Sequence, residues 1–380
     1  MKIGFDAKRF FNNFTGLGNY SRFIIRALSE HAPENDYMLF TPKVKAHAEL
    51  NSILSSPNIR VVTPPYAYSL LGAGSLWRTW GISRSADVKE LDLYHGLSQE
   101  LPVKLPENLK KIVTVHDLIF IRYPHLYKAV DAAIYKAKVQ AACRQADRIM
   151  AISQQTKEDI VHFLNVDAAK IDVVYQGCHP SFRKVFSADQ ITAIRTKYDL
   201  PRNYILNVGT IEERKNVLLL IKAIALLPID LRIHVVIVGR STDYKRKIIE
   251  HAARLRVSQW ILFLHDVPFV DLPAIYQAAE VFVYPSIFEG FGIPIVEALE
   301  SSVPVIATKG SSLQEAGGPG TIYLDPENEQ EMSDTLKTVL SDQDLRKTMI
   351  EEGRIHVKQF EPDVISDQVV KVYKMQTAVS

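Results

Sequence analysis

Residues Phe288–Glu297 read FEGFGIPIVE and place two carboxylates, Glu289 and Glu297, on either side of a turn of small residues. The apolar, β-branched run Val281–Tyr284 before them is typical of a strand. Pro294 suits the first turn of a helix, so a glycine-rich turn is predicted between strand and helix. Glycines let the backbone approach a ligand closely, and the first turn of a helix has N–H groups without partners. Carboxylates, which accept hydrogen bonds, and backbone amides, which donate them, are suited to bind the hydroxyls of a sugar.

The two glutamates, the Gly-Phe-Gly core and the proline resemble the E-x7-E signature of the retaining glycosyltransferases called group 1 or family 4. The resemblance implies an α/β chain with the GT-B fold, in which two Rossmann-like, doubly wound domains face a central cleft. It implies that Glu297 accepts hydrogen bonds from the ribose of a nucleotide-sugar donor and that Glu289 binds the sugar. The backbone groups implied to hold the sugar are those of Gly290, Phe291, Gly292 and Ile293.

Outside this motif, short apolar runs alternate with amphipathic helical stretches through most of the chain, which predicts parallel strands with helical crossovers. The predicted strands are Ile3–Phe5, Tyr37–Phe40, Arg60–Val62, Leu93–His95, Lys111–Val115, Arg148–Ala151, Asp172–Tyr175, Tyr204–Val208, Ile233–Val238, Ile261–Leu264, Val281–Tyr284, Val303–Ala307 and Thr321–Leu324. The mixed composition of Gln176–Asp189 predicts a linker, and therefore domains at 1–182 and 183–362. The helical stretch at about 363–380 is expected to pack back on the first domain, as in the family that the motif resembles.

Length and composition favour a globular protein of two domains, because 380 residues are too many for one ordinary core. A net charge of +2 gives no general signal for nucleic acid as a partner. Cys143 and Cys178 are too few for a disulfide framework or a four-ligand zinc site, and both are expected to be reduced. The N-terminus enters a strand directly, and no apolar run reaches transmembrane length. We expect a cytoplasmic protein that can touch the inner face of a membrane peripherally.

Two cations, Arg214 and Lys215, follow the first predicted strand of the second domain and precede a helix that starts near Val217. Cations are disfavoured beside the positive end of a helix unless an anion lies between them. The segment, which begins with Gly209, resembles the family's glycine-to-lysine pattern, whose cations neutralise the leaving diphosphate. A solvated basic loop is the alternative interpretation.

Three further features of the sequence lie where ligands bind in open α/β sheets. His116 ends a predicted strand, and in the family a histidine at this place lies near the reacting sugar; a structural histidine is the alternative. Gly16 and Gly18 open a helix, where anions can bind, although the third glycine of a dinucleotide fingerprint is missing. Gly239 also ends a strand, and it is either a simple turn glycine or a point of close approach to the nucleotide.

The stretch Leu70–Arg84 contains Trp77, Arg78 and Trp80 and has two interpretations. It could form an aromatic and basic surface for a lipid-linked acceptor or a membrane interface. Alternatively, it is a helix that packs its aromatic side chains against the domain. The single Asp-x-Asp, Asp342–Asp344, lies in a polar helical stretch and reads as surface charge, so neither a metal nor another cofactor is expected.

These features together predict a retaining hexosyltransferase with His116, Arg214, Lys215 and Glu289 as catalytic residues. By the family resemblance, it moves a hexose from a nucleotide sugar to a glycan or lipid-linked acceptor in surface polysaccharide synthesis. Mannose from GDP-mannose is the first expectation. Another GT-B-like enzyme, such as an epimerase or phosphorylase, and a non-catalytic nucleotide-sugar-binding protein are the alternatives.

Overall fold

The chain forms two compact units in a computed structural model that describes residues 1–45, 47–65, 68 and 74–377. Unit 1 comprises Met1–Gly177 and resumes at Gln359, while unit 2 comprises Cys178–Lys358. The short predicted segment 178–182 therefore belongs to unit 2 instead of the first domain. The reason is Phe182, whose buried ring packs edge-on against Tyr276, with ring centres 5.5 Å apart.

Unit 1 is built on a sheet of seven strands, and every neighbouring pair is parallel. The strands are β1 (Lys2–Asp6), β2 (Asp36–Phe40), β3 (Ile59–Val62), β4 (Leu93–Gly96), β5 (Lys110–Val115), β6 (Arg148–Ala151) and β7 (Ile171–Val173). Their spatial order is β3-β2-β1-β4-β5-β6-β7. The described helices of unit 1 are Lys8–Asn12, Gly16–His31, Ala48–Leu54, Gly74–Leu76, Ile119–Arg122, Ala129–Gln145, Gln154–Leu164 and Pro362–Thr377.

Unit 2 repeats the architecture with a parallel sheet of six strands. The strands are β8 (Tyr204–Val208), β9 (His234–Val238), β10 (Ile261–Leu264), β11 (Val281–Tyr284), β12 (Val305–Thr308) and β13 (Thr321–Leu324), in the order β10-β9-β8-β11-β12-β13. The helices are Ala188–Lys197, Val217–Leu226, Tyr244–Arg254, Leu272–Gln277, Ile293–Glu300, Leu313–Gly317, Glu329–Ser341 and Gln343–His356.

The predicted fold of two doubly wound α/β domains is confirmed by these sheets, and all thirteen predicted strands overlap observed ones. The central strands are apolar and buried throughout, as in Val281–Tyr284, because helices cover both faces of a parallel sheet. In each unit the strand order reverses at the first strand. The reversal lies between β1 and β4 in unit 1 and between β8 and β11 in unit 2, and ligands bind beside such switch points.

The C-terminal helix Pro362–Thr377 returns to unit 1 and packs along the helix Gly16–His31. Its buried Tyr373 hydroxyl lies 2.7 Å from Nδ1 of His95 on β4. The chain reaches it through Phe360, whose ring meets that of Tyr175 edge-on at 5.6 Å. The C-terminal segment thereby completes the core of unit 1 around the strands next to its switch point.

Candidate active site

A group of charged side chains lies at the carboxyl ends of β8 and β11, the switch point of unit 2. The loop after β8 forms a short 3-10 turn, Glu213–Lys215, before the helix Val217–Leu226. The loop after β11 carries Glu289 and leads into the helix Ile293–Glu300. A backbone hydrogen bond of 2.8 Å from the Ile287 amide to the Arg214 carbonyl ties the two loops together.

One oxygen of Glu289 gathers the group. Its Oε1 lies 2.5 Å from Nζ of Lys215 and 2.8 Å from Nη1 of Arg214. Tyr284 donates to the same oxygen at 3.1 Å, and Ser286 donates to it as well. The second oxygen, Oε2, accepts no hydrogen bond from any residue that the structure describes, so it is the half of the carboxylate available to a ligand.

The two cations are held by further contacts of their own. Lys215 donates to the Tyr284 hydroxyl at 2.6 Å and lies over the Tyr284 ring at 4.9 Å. Arg214 donates to the Phe288 carbonyl at 2.5 Å and to Glu212 at 2.8 Å. Two cations and two carboxylates thus balance, so a diphosphate that meets Lys215 and Arg214 must share them with Glu289 and Glu212.

Electrostatics keeps Glu289 ionised. Burial alone would raise the pKa of its carboxyl, but Lys215 and Arg214 outweigh burial and lower the pKa to about 2. Burial lowers the pKa of Lys215, an effect that Glu289 opposes. The pKa of Arg214 is raised, because its carboxylate neighbours outweigh its own burial. Glu289 therefore accepts hydrogen bonds at neutral pH and has no proton to donate.

Glycines are required at two points around this group. Gly292, which precedes the helix Ile293–Glu300, has a φ of +112°, and a Cβ there would lie 2.8 Å from Leu313. At Gly239, with φ +155°, a Cβ would lie 1.9 Å from the Gly209 carbonyl oxygen. Close packing of the loops after β8 and β9 therefore accounts for Gly239 without a ligand.

The turn before the helix Ile293–Glu300 presents backbone to the site and turns its aromatic side chain inward. Phe291 is 2% exposed, and its carbonyl accepts a hydrogen bond of 3.1 Å from Ser312. Ser312 also donates to the Glu289 carbonyl at 2.9 Å, which fixes the turn. The amides of Gly292 and Ile293 have no hydrogen-bond partner among the described residues, which leaves two donors beside Glu289.

Glu297 has a different environment from Glu289. It is 7% exposed, and its Oε2 accepts one hydrogen bond of 2.9 Å from the buried Tyr276 hydroxyl. No cation pairs with Glu297 among the described residues. Burial therefore raises its pKa to about 7, although the bond from Tyr276 opposes the shift. A ligand that donates hydrogen bonds to this carboxylate would satisfy a costly charge.

In unit 1, His116 follows β5 and is 5% exposed. Its Nε2 lies 2.8 Å from the Leu97 carbonyl, which can only accept, so Nε2 carries the proton. Burial lowers the pKa of His116 to about 4, so the ring is neutral at neutral pH. No described residue bonds to Nδ1, and this nitrogen is an available acceptor.

A buried polar chain positions His116. The Tyr20 ring meets the His116 ring edge-on at 4.6 Å, and the Tyr20 hydroxyl lies 3.0 Å from Thr114. Thr114 in turn lies 2.8 Å from Nε2 of His95, whose other nitrogen meets Tyr373. Burial lowers the pKa of His95 to about 3, so this chain is uncharged. These contacts link Tyr373 of the C-terminal helix to His116.

Of the glycines in the first helix, Gly18 is required for packing and Gly16 is not. A Cβ at Gly18 would lie 1.7 Å from the Asn13 carbonyl oxygen, whereas a Cβ at Gly16 would meet nothing within 4 Å. A short helix, Lys8–Asn12, occupies part of the segment between β1 and the helix Gly16–His31. The open side of Gly16 is compatible with a ligand, and a substrate role for either glycine stays a prediction.

The aromatic and basic stretch Leu70–Arg84 divides between its two interpretations, and its residues 70–73 lie outside the described part of the chain. Trp77 is buried in the core, which agrees with a packed helix. Arg78 pairs with Asp6, at the end of β1, and with Glu100. Trp80 matches the surface interpretation, since it is 46% exposed.

Neither a metal cluster nor a membrane-spanning helix is present among the described residues. No cluster of three or more histidine, cysteine or acidic side chains suited to a metal occurs among the residues described. None of the helices in the described ranges is both long and apolar enough to cross a bilayer. Asp342 and Asp344 occupy a helix start, where Asp342 accepts from the Asp344 amide at 3.0 Å.

Sequence reasoning missed several hydrogen-bond and ion-pair partners of the charged residues. Tyr284 ends β11 and Ser286 follows it, just before Glu289, and their position at the end of a strand could have indicated them. Tyr276 and Glu212 have no comparable signal, because a lone tyrosine in a helix and a glutamate in a loop are ordinary surface or core residues.

The chain matches two family models. Residues 14–182 match "Glycosyltransferase Family 4" and residues 190–356 match "Glycosyl transferases group 1". It is 28% identical to the O-antigen chain mannosyltransferase B of Escherichia coli, over 99% of this chain and 100% of that protein.

Solved structures of similar proteins share the fold. The sucrose-phosphate synthase of Thermosynechococcus elongatus superposes with a TM-score of 0.76 at 19% identity, with all of both chains covered. Anabaena Alr3699/HepE, in complex with UDP and glucose, superposes with a TM-score of 0.74 at 20% identity, over 99% of this chain and 100% of that one. At such identities the likeness establishes the GT-B fold alone.

Proposed function

Since the chain belongs to the group 1 and family 4 glycosyltransferases, we propose that it transfers a hexose from a nucleotide sugar to a glycan acceptor with retention at the anomeric carbon. The observation that carries the proposal is the meeting of Arg214, Lys215 and Glu289 at the switch point of unit 2. A diphosphate leaving group needs cations, and the hydroxyls of a sugar need a hydrogen-bond acceptor. This group supplies both within one hydrogen-bonded cluster.

In the proposed reaction, the bond between the anomeric carbon and the diphosphate oxygen breaks as the acceptor hydroxyl forms a new bond to that carbon. Lys215 and Arg214 stabilise the negative charge that grows on the diphosphate, which is worth most in a buried site. Because these cations supply the charge, we propose that turnover needs no metal. Glu289 holds the cations through Oε1 and accepts from a sugar hydroxyl through Oε2.

Retention follows, in this proposal, from attack on the face that the diphosphate leaves. The acceptor hydroxyl passes its proton to the departing phosphate oxygen, so no enzyme base is required for that step. We do not assign Glu289 the role of a nucleophile, because Lys215, Arg214, Ser286 and Tyr284 draw its charge to Oε1 and the proposal gives Oε2 to a sugar hydroxyl. His116 would accept from a sugar hydroxyl through Nδ1, and Glu297 from the ribose.

Mannose from GDP-mannose is the donor we propose, and the full-length likeness to a mannosyltransferase of O-antigen chains supports it. The acceptor proposed is a growing surface polysaccharide on a lipid carrier. An enzyme that acts on a lipid-linked glycan works beside a membrane, and we therefore propose peripheral contact with the inner face.

The test is a panel of nucleotide sugars, screened by the thermal stability of the protein, since a bound ligand raises the transition temperature by mass action. GDP-mannose should give the largest shift and should release GDP when a mannan oligosaccharide is added. Proton NMR of the product should show the anomeric configuration of the donor. If another nucleotide sugar gives a larger rise in transition temperature, that sugar replaces GDP-mannose as the proposed donor. A product with inverted anomeric configuration would refute retention. If no donor is turned over, the proposed enzymatic activity is wrong.

Calorimetry then tests the roles of the two glutamates. Glu297→Ala should weaken binding of the free nucleoside diphosphate by about tenfold or more, because it loses a charge-assisted hydrogen bond to ribose. Glu289→Ala should keep that affinity and lose sugar transfer, because its Oε2 is assigned to the sugar. Equal loss of nucleotide affinity in both variants would contradict the assignment.

A further inference from the structure

Arg214 presents its two terminal guanidinium nitrogens to different partners. Its Nη1 donates to the Phe288 carbonyl at 2.5 Å and lies 2.8 Å from Oε1 of Glu289, and both of these groups belong to the loop after β11. Its Nη2 pairs with Glu212 at 2.8 Å and with no other described residue. The arginine therefore stays tied to the loop after β11 through Nη1 when Nη2 changes its partner.

The two carboxylates that neutralise Arg214 differ in how firmly they are held. The Glu289 side chain is 11% exposed, and its Oε1 also meets a lysine, a tyrosine and a serine. The Glu212 side chain is 38% exposed, and its carboxylate bonds to no described residue other than Arg214. A partly exposed ion pair with a single partner is weak. An anion that reaches Arg214 can therefore replace Glu212 at little cost, whereas Glu289 would have to give up four contacts.

A diphosphate is the anion that the proposed function brings to Arg214. It carries more negative charge than one carboxylate and offers several acceptor oxygens, which a guanidinium binds well. The diphosphate should therefore take Nη2 of Arg214 from Glu212, and the Glu212 carboxylate should turn to water. Nη1 keeps its bonds, so the arginine needs no new position to bind the ligand.

The same exchange matters again after the sugar has been transferred. The outer phosphate of a nucleotide sugar is esterified on both sides, whereas that of a free nucleoside diphosphate has a terminal oxygen that loses a further proton near neutral pH. The product therefore carries more negative charge than the donor and is attracted more strongly by Arg214 and Lys215. A carboxylate that competes for Arg214 weakens binding of this product and so favours its release, a step that limits turnover in many enzymes.

We propose that Glu212 is a displaceable counterion of Arg214, which leaves Nη2 when the diphosphate binds and returns to it when the nucleoside diphosphate departs. Glu212 is a positioning residue, because it acts through Arg214 and touches no reacting atom. This inference deepens the proposed function and rests on its assignment of Arg214 to the diphosphate.

The experiment compares Glu212→Gln with the matched control Glu213→Gln. Each variant removes one negative charge, at neighbouring positions, but Glu213 is exposed and no ion pair with a described residue holds it. The amide that replaces the Glu212 carboxylate can still accept from Arg214, so the arginine keeps its place. Calorimetry measures the binding of GDP and of UDP, so that the result does not depend on the base. The turnover assay gives the constant for product inhibition.

Glu212→Gln should bind the nucleoside diphosphate about three- to tenfold more tightly than the wild type, and its product inhibition constant should fall by the same factor. Glu213→Gln should change both constants by less than about twofold, because water and salt screen an exposed charge. In a protein that already carries Arg214→Ala, Glu212→Gln should have no effect, since the competition passes through the arginine. Equal tightening in the two glutamate variants, or tightening that persists without Arg214, would overturn the proposal.

The same measurements separate this proposal from the function on which it rests. If Arg214→Ala weakens nucleotide binding but Glu212→Gln does not tighten it, the counterion proposal alone is wrong. Tightening by Glu212→Gln without turnover of any donor would refute the enzymatic proposal alone. If Arg214→Ala leaves the affinity unchanged, or if the wild type binds neither nucleotide, the assignment of Arg214 to the diphosphate is wrong and the counterion proposal fails with it.

Discussion

The two glutamates of the glycine-rich motif should respond in opposite directions to the same substitution. Glu289→Gln and Glu297→Gln each remove one charge and keep the shape of the side chain. Both residues are less than a tenth exposed. Glu289 is ionised among cations, whereas Glu297 is buried with one neutral partner, Tyr276. The first substitution should therefore destabilise the apo protein, and the second should stabilise it above neutral pH.

The magnitude for Glu289 follows from its pKa. Lowering the pKa from 4.5 to about 2 on folding corresponds to about 3 kcal/mol of stability. Because the folded-state pKa is the lower one, this stability is present above pH 4.5 and is lost as the pH falls towards 2. Glu289→Gln should lower the free energy of unfolding by on the order of 3 kcal/mol at neutral pH, since Lys215 and Arg214 remain buried with Glu212 as their nearest carboxylate.

The sign is reversed for Glu297. Burial raises its pKa from 4.5 to about 7, so the free energy of unfolding falls as the pH rises through that range. Glu297→Gln should raise the free energy of unfolding by about 1–3 kcal/mol at alkaline pH, where the wild-type carboxylate is charged, and by much less near pH 5. The amide oxygen can still accept from Tyr276, so the hydrogen bond need not be lost.

Urea unfolding of the apo protein, followed by circular dichroism at pH 5 and at pH 8, measures both effects. Glu250→Gln is the control, because Glu250 is 52% exposed and its ion pairs with Arg246 and Arg254 are 3.9 Å long. The control should change stability by less than about 0.5 kcal/mol. The reasoning is wrong if Glu289→Gln is as harmless as the control, or if Glu297→Gln destabilises more at pH 8 than at pH 5.

Three further predictions concern turnover. Replacing Arg214 or Lys215 with alanine should lower turnover about 10²–10³-fold. The control Lys222→Ala, at a side chain that is 42% exposed, should leave turnover unchanged. If Arg214→Ala and Lys215→Ala have only small effects, these residues do not stabilise the charge of the leaving diphosphate. Turnover should survive EDTA, because the cations supply the charge, and rescue of a lost activity by Mg²⁺ or Mn²⁺ would contradict this. Burial lowers the pKa of His116 to about 4, so its ring should stay neutral above pH 5. Above pH 5, kcat/KM should therefore depend on pH in the same way in His116→Gln as in the wild type. An inflection near pH 6.5 in the wild type that the variant lacks would contradict this prediction.

Much of the fold was predictable, because buried strands and helices place apolar residues at characteristic spacings along the sequence. Apolar runs such as Val281–Tyr284 mark strands buried on both faces, and Pro294 marks the start of a helix. The boundary between the units was predictable to within a few residues, since a linker has mixed composition. The place of Phe182 was not, because its partner Tyr276 lies far along the chain.

For the site, the sequence by itself determined the charged residues and their positions at strand ends. Glu289 and Glu297 stand in one motif, Arg214 and Lys215 follow another strand, and His116 follows a third. These are local properties, since a residue type and the strand before it are read within about ten positions. They were enough to indicate a sugar and an anion as ligands, and the family resemblance implied that the anion is a diphosphate.

Only the tertiary structure decided how these residues meet. Because β11 pairs with β8 across an intervening stretch of two strands, Lys215 and Arg214 converge on one oxygen of Glu289. The neighbouring Glu297, on the same helix, turns instead to Tyr276 and has a pKa about five pH units higher than that of Glu289. Strand order and the direction of a side chain arise from long-range pairing and packing, which no local pattern of residues encodes.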